Sequence, residues 1–295
     1  MSLRLEMQQV ARAAPKALKE ATKLVQDFLL AQQNADGGFK DREGKSDLYY
    51  TVFGLDALAA LDAPVDLDGV QSYLMSFREG EGLDLVHLSC LTRCWETMGR
   101  ARMPKHLCTA LLKRLEDFRK PCGGWDNNPE REHGTAYGSF LALGAYQDMG
   151  KLPPKPLRIL QSLKQLETPD HAWNNHPNLP IGSTNPTAGA VVLLNNLHLP
   201  INDQVGQWLR ARLHAQGGFV AVPDAPMPDL LSTATALHAL AALEVRLTEK
   251  ETECCLDFVD SLWDATGGFH GHWSDDFVDC EYTFYGLLAL GHLNL

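Results

Sequence analysis

The chain has little that would take it to a membrane or to nucleic acid. No run of about eighteen apolar residues occurs, so no membrane-spanning helix is expected. The opening stretch MSLRLEMQQVARAAPKALKE is charged and lacks the apolar core of a secretory signal. Basic residues are few: 26 Lys and Arg against 37 Asp and Glu, a formal net charge of −11. That balance disfavours nucleic acid and anionic lipid as partners. Paired-cysteine signatures are missing too. The seven cysteines are scattered without a CxxC, which predicts reduced thiols in a cytoplasm rather than a disulfide framework. Cys90 and Cys94, one helical turn apart, read as small buried side chains.

What the chain has is a repeat. Gly-Gly-aromatic occurs at Gly37-Gly38-Phe39, Gly123-Gly124-Trp125, Gly217-Gly218-Phe219 and Gly267-Gly268-Phe269. Worn copies fall at Gly80-Glu81-Gly82-Leu83 and in DHAWNN, Asp170 to Asn175. The spacing gives six units, each roughly 43 to 50 residues long, of the kind that signals a helical repeat architecture. Each unit opens on an amphipathic helix such as KEATKLVQDFLLAQQ, with apolar residues at three- and four-residue spacing. Glycines end it and permit positive φ. A polar loop follows, and then a second helix behind a capping Asp. Asp47, Asp229 and Asp279 each stand four residues before a Thr. The second helices, among them TVFGLDALAAL, TATALHALAAL and TFYGLLALGHL, are apolar nearly all round, which predicts burial.

The second helix of each pair should therefore be the inner one. Six hairpins, each with one buried helix and no polar capping unit after the sixth, predict closure into an all-α ring, an α/α toroid. One domain over residues 1–295 is expected, with repeats near 17–62, 66–98, 104–148, 153–197, 202–243 and 248–293.

Gly-Gly-Phe, a polar loop and Asp-x-x-Tyr-Thr-x-x-Gly-Leu-x-Ala-Leu resemble the repeats of protein prenyltransferase β-subunits. They are similar as well to the squalene–hopene and class II terpene cyclases that share that toroid. The resemblance covers the whole chain and implies a central cavity for an apolar, isoprenoid-like molecule. In the prenyltransferases it implies a separate α-subunit partner and a zinc held by Asp and Cys at the fifth inner helix and His at the sixth. The matching positions here are Asp229, Leu231 and Tyr282, so two of the three ligands are replaced. The family's basic diphosphate clamp falls on VPDAPMP (222–228) and on Ser232, whereas His133-Gly134 resembles one retained element of that site. In class II cyclases the resemblance implies Asp-x-Asp-Asp-Thr, whose middle acid protonates an alkene or epoxide. The fourth repeat has Ser183, Asn185 and Pro186 at those places. The sixth reads Asp279-Cys280-Glu281-Tyr282-Thr283, with a carboxyl group at the middle position.

The residue two before each repeat Thr should face the lumen: Tyr49, Asn185, Leu231 and Glu281, with His87 in the second copy. The third copy's register is open by a residue or two, and His133 is the nearby candidate. Glu281, with Asp279 and Tyr282, is the candidate catalytic group, because a desolvated carboxylic acid can donate a proton. Tyr49, Tyr50, Trp95, Tyr137 and Tyr285 are candidate walls for an apolar or cationic species, and His87, His133 and Asn185 are candidate polar contacts. Asp229, His87 and His133 are the weak candidates for a metal. No cofactor is assigned, with zinc or magnesium as the options. Asp47, Asp229 and Asp279 serve equally well as helix caps, and Asp275, Asp276, His270 and His272 as loop residues. Three readings stay open: a prenyltransferase-like enzyme with a non-standard site, a metal-independent class II-type cyclase using Glu281, and a non-catalytic lipid- or protein-binding ring. The thioester motif Gly-Cys-Gly-Glu-Gln of complement-type toroids is absent. A deep aromatic lumen favours enzyme or carrier, and a plugged one favours a scaffold.

Overall fold

The computed structural model describes residues 2–295, and its regular structure is almost wholly helical. In chain order they are α1 (Leu3–Ala11), α2 (Pro15–Leu18), α3 (Thr22–Ala31), α4 (Leu48–Ala60), α5 (Leu67–Ser76), α6 (Leu85–Thr97), α7 (Lys105–Glu116), α8 (Ala136–Asp148), α9 (Arg158–Lys164), α10 (Thr184–Asn196), α11 (Gln204–Arg210), α12 (Leu230–Ala242), α13 (Glu249–Ser261) and α14 (Cys280–Leu293). From α4 onward the even-numbered helices are the apolar ones. Each of them packs on the next: α4 on α6, α6 on α8, α8 on α10, α10 on α12, α12 on α14 and α14 back on α4. The inner ring closes, and the fold is an α/α toroid. No described helix is long and apolar enough to cross a membrane.

The glycine turns join neighbouring hairpins. Gly37 has φ +94°, and a Cβ there would lie 2.1 Å from the carbonyl oxygen of Gly69 at the start of α5. Gly267 has φ +101°, and its Cβ would lie 2.5 Å from the carbonyl oxygen of Leu24 on α3. Only a residue without a side chain fits such a backbone contact. The second contact joins the sixth repeat to the first. The aromatic that follows the glycines is buried: Phe39, Trp125, Trp173, Phe219 and Phe269 expose 3% or less. Its backbone then pairs with the residue capping the inner helix. β1 (Phe39–Lys40) and β2 (Ser46–Asp47) match Phe39 with Asp47, and β3 (Phe269–His270) and β4 (Val278–Asp279) match Phe269 with Asp279. Single bridges Trp125–Thr135 and Phe219–Asp229 repeat the arrangement.

Two helices, α1 and the short α2, precede the six hairpins, and nothing in the repeat predicts where α1 goes. Helix α1 packs on α14, α4, α8 and α10, inside the ring at the C-terminal ends of the inner helices. Its buried face carries Leu3, Arg4, Met7 and Ala11. Arg4, 8% exposed, lies 3.5 Å from Asp56 and 3.3 Å from Asp148, and Arg93 also holds Asp56. Two guanidinium groups and two carboxylates thus meet in the interior, where charges persist only when paired. Burial still pushes the Asp148 carboxyl up to about 7 against the pull of Arg93 and Arg4.

Candidate active site

The six inner-helix N-termini share one end of the ring, and their register is fixed by repeated hydrogen bonds. The caps are Asp47, Asp84, Thr135, Ser183, Asp229 and Asp279. Four residues on, Thr51, Ser139, Thr187, Thr233 and Thr283 are buried, and so is Ser89, five residues after Asp84. The hydroxyls of Thr51, Thr187 and Thr233 accept the backbone N–H of Phe39, Trp173 and Phe219 at 2.9 to 3.0 Å. In the third repeat Thr135 does the capping and Ser139 occupies the repeat Thr position. The lumen residue there is therefore Tyr137, which corrects His133. The His133 ring stays in the preceding loop, with Nδ1 3.1 Å from its neighbour's carbonyl and the ring 6.3 Å from His176.

The ring of lumen positions is thus Tyr49, His87, Tyr137, Asn185, Leu231 and Glu281. Tyr49, Tyr137, Asn185 and Leu231 line a central cavity of about 150 Å³ together with Tyr285, Thr235, Phe140 and, deeper, Val192, His238 and Met7. Two bowls open above it. One of about 400 Å³ is walled by Asp41, Arg42, Asp47, Tyr49, Tyr50 and His87. The other, about 410 Å³, is walled by Asp126, Asn127, Arg131, Tyr137, Asn175 and His176. Tyr49 and Tyr137 each stand between a bowl and the cavity. Tyr137 is 44% exposed although protein surrounds it, because its ring faces these hollows. Trp95 is corrected: it is 0% exposed and part of the core. At about 100° per residue it lies roughly 80° around α6 from His87, off the lumen stripe.

Glu281 is the one acid among the six lumen positions. The Tyr49 hydroxyl donates to its Oε1 at 2.5 Å, joining the first repeat to the sixth. Burial pushes the Glu281 carboxyl up to about 7; the Tyr49 hydrogen bond opposes this and nearby Asp279 adds to it. Burial likewise raises the phenols of Tyr49 and Tyr285, so both stay neutral donors. Phe53 packs against Tyr49 at 5.0 Å and Tyr285 at 5.4 Å between ring centres, which holds both phenols in place.

The neighbouring acids are engaged elsewhere. Asp279 caps α14 through the Tyr282 N–H at 2.9 Å and receives Arg42 Nε at 3.0 Å. Asp275 takes Arg42 Nη2 at 2.9 Å. Tyr282 lies under the same guanidinium, 5.5 Å from its ring centre. Asp279, Tyr282 and His87 do not line the central cavity, and Glu281 reaches it only through Tyr49 and the neighbouring Tyr285. Asp229 caps α12 by accepting the Ser232 N–H at 2.7 Å. His87 sits between two carboxylates, Nδ1 2.7 Å from Asp84 and Nε2 3.3 Å from Asp47. Those partners, Asp47 first, raise its pKa to about 9, so it is an imidazolium with no lone pair for a metal. Asp229, His87 and His133 sit on three different repeats. Among the described residues no group of three or more His, Cys, Asp or Glu is placed to hold a metal ion. Sequence reasoning missed Arg42, Met7 and the buried pair His238–His292, whose ring nitrogens meet at 3.0 Å. A lone Arg in a polar loop gives no signal, but a His inside the otherwise apolar helix TATALHALAAL is one.

Residues 16–90 and 186–294, more than half of the chain, match the model of the prenyltransferase alpha-alpha toroid domain. The chain belongs to this family. Solved structures of similar fold include the type II terpene cyclase MstE from Scytonema, 12% identical with a TM-score of 0.61 over 95% of this chain and 98% of that one. The GH76A alpha-1,6-mannanase from Salegentibacter is 13% identical, with a TM-score of 0.59 over 92% and 98%. No curated protein sequence matches. At such identity the family's toroid is what is shared. It serves a terpene cyclase and a mannanase alike, so chemistry has to be argued from the site.

Proposed function

We propose that the protein takes a neutral isoprenoid-like chain into the central cavity and that Glu281 is the general acid of a class II-type cyclisation. The observation that carries this reading is the Glu281–Tyr49 pair, of which Tyr49 lines the cavity: one carboxyl group among six lumen positions, half protonated near pH 7, with one oxygen held by a phenol. The other oxygen is then free to bear the proton. Transfer breaks that O–H bond and forms a C–H bond at the less substituted carbon of a double bond. The resulting cation is attacked by the next double bond, which forms a ring C–C bond, and loss of a proton from carbon ends the sequence. The Glu281 carboxylate left behind keeps the Tyr49 hydrogen bond until it is reprotonated. Tyr49, Tyr137 and Tyr285 present rings that suit a passing cation.

The rim supports a neutral ligand over a diphosphate. Arg42 is matched by Asp275 and Asp279, His87 by Asp47 and Asp84, and Arg131 by Asp126. No bowl cation is left to balance a doubly charged head group. Zinc-dependent prenyl transfer fits less well, because Leu231 offers no donor and Tyr282 is turned to Arg42. The test is mass spectrometry of products from squalene, oxidosqualene, farnesyl diphosphate and geranylgeranyl diphosphate, with and without zinc or magnesium, beside Glu281→Gln. A cyclised product from a neutral substrate, lost in the variant, is the expected result. Diphosphate release that requires metal would replace this reading with prenyl transfer, and ligand retained without turnover would replace it with a carrier.

A further inference from the structure

We infer that α1 is a depth stop: Met7 ends the cavity and so decides which double bond of a bound isoprenoid chain lies beside Glu281. The inference rests on the isoprenoid reading above and adds to it the length of chain that passes the ring of lumen residues.

The floor lies two helical turns below that ring. Asn185 and Val192 on α10, and Leu231 and His238 on α12, are seven residues apart, and all four line the cavity with Met7. Seven residues of helix are about 10 Å. The volume agrees. A cavity of about 150 Å³ takes a guest the size of benzene. That is one five-carbon isoprene unit and not two. The terminal unit of a chain therefore fills the cavity, its double bond stays near the mouth where Tyr49 holds Glu281, and the following units lie in the bowls. Without α1 the ring would be open at its far end and a chain could slide through.

A stop has to be mounted rigidly, and α1 is. The Leu3 N–H donates to Gln147 Oε1 at 2.9 Å. Arg4, one turn from Met7, is fixed to Asp56 and Asp148 and reaches the Thr97 hydroxyl at 3.3 Å. At the other end Gly291 leaves room for the helix: a Cβ there would lie 2.1 Å from the carbonyl oxygen of Val10. These contacts draw on α4, α6, α8 and α14, four of the six inner helices. The flexible thioether of Met7 supplies a compliant apolar surface where the chain end arrives.

The test uses neutral probes, so that binding is read apart from catalysis. Geraniol, farnesol and geranylgeraniol are titrated by calorimetry into the full chain, Met7→Ala and Met7→Phe. Removing three heavy atoms opens roughly 70 Å³ at close-packed density, most of one isoprene unit. Met7→Ala is expected to shift the affinity ratio toward the longer alcohols by about tenfold, and Met7→Phe to shift it the other way. Opposite shifts in two variants do not arise from general damage to the fold. Where wild type cyclises a substrate, Met7→Ala is also expected to move the new ring one unit along the chain. A length preference unchanged in both variants, with the alcohols still bound, overturns the depth stop and leaves the proposed function standing. A shifted preference without any turnover upholds the stop while the acid role of Glu281 fails. If no form binds any of the alcohols, the isoprenoid reading falls and the stop with it.

Discussion

Replacing Glu281 by Gln tests the proton-holding role without a substrate. The side chain has nearly the same shape, and its amide oxygen can still accept the Tyr49 hydroxyl. In the unfolded chain the carboxyl titrates near 4.5, and in the folded protein burial raises it to about 7. A raised acid contributes stability that is fully present below the unfolded value and is lost as pH rises through the folded one. Each tenfold change in proton affinity is about 1.4 kcal/mol, so the whole effect is about 3.5 kcal/mol. Gln cannot ionise and carries no such term. Unfolding by urea, followed by helix circular dichroism at a series of pH values, gives both stabilities. Titrations common to the two proteins cancel in the difference. The variant is expected to match wild type within about 1 kcal/mol at pH 4.5 and to gain on it steadily to about pH 8, by about 3 kcal/mol in all. A difference that stays flat across this window would refute the claim that Glu281 is held protonated, and with it the physical basis of its role as an acid.

Tyr49→Phe removes the donor that favours the Glu281 carboxylate; the rise in that difference curve is expected to move to higher pH, with about 1–2 kcal/mol of stability lost above pH 7. Arg4→Met leaves Asp56 and Asp148 facing Arg93 alone in the interior, and a cost of about 3–5 kcal/mol is expected in urea unfolding at pH 8, smaller at pH 5 where Asp148 takes up a proton. Gly37→Ala puts a Cβ into a backbone carbonyl at positive φ and is expected to lower stability by about 2–4 kcal/mol, read as a drop in the urea midpoint. Burial depresses His238 to about 4 and His292 to about 3 from 6.5; the stability this gives is present above 6.5 and is lost as pH falls through those values, so replacing both by Leu should flatten the acid arm of the stability profile between pH 6 and 4.

Ring closure explains why so much of the site could be located from sequence, and where that ended. Equivalent positions in a closed ring lie at one level, so the residue two before each repeat Thr could be placed without knowing any contact. Tyr49 and Glu281 are 232 residues apart, and they meet because the first and sixth repeats are neighbours. The method failed in the third repeat for a chemical reason. A Thr can cap a helix or bridge to the loop, and HGTAYGS offers Thr135 for one task and Ser139 for the other. Trp95 was misplaced because it was taken as an aromatic on an inner helix without its place around that helix: α6 has a distinct apolar face, and Trp95 belongs to it rather than to the lumen stripe. Helix α1 escaped because it belongs to no repeat and its partners are spread over the whole ring. Its trace in the sequence was indirect: Asp56 inside TVFGLDALAAL and Asp148 at the end of α8 are acids on inner helices, and Arg93 inside LVHLSCLTRCWET is the base that faces them. Two acids and one base in a buried layer demand another cation. Arg4 is that cation, and the segment bearing it has to enter the ring. With α1 at the C-terminal ends of the inner helices and Glu281 at their N-terminal ends, the plug and the acid stand at opposite ends of the ring.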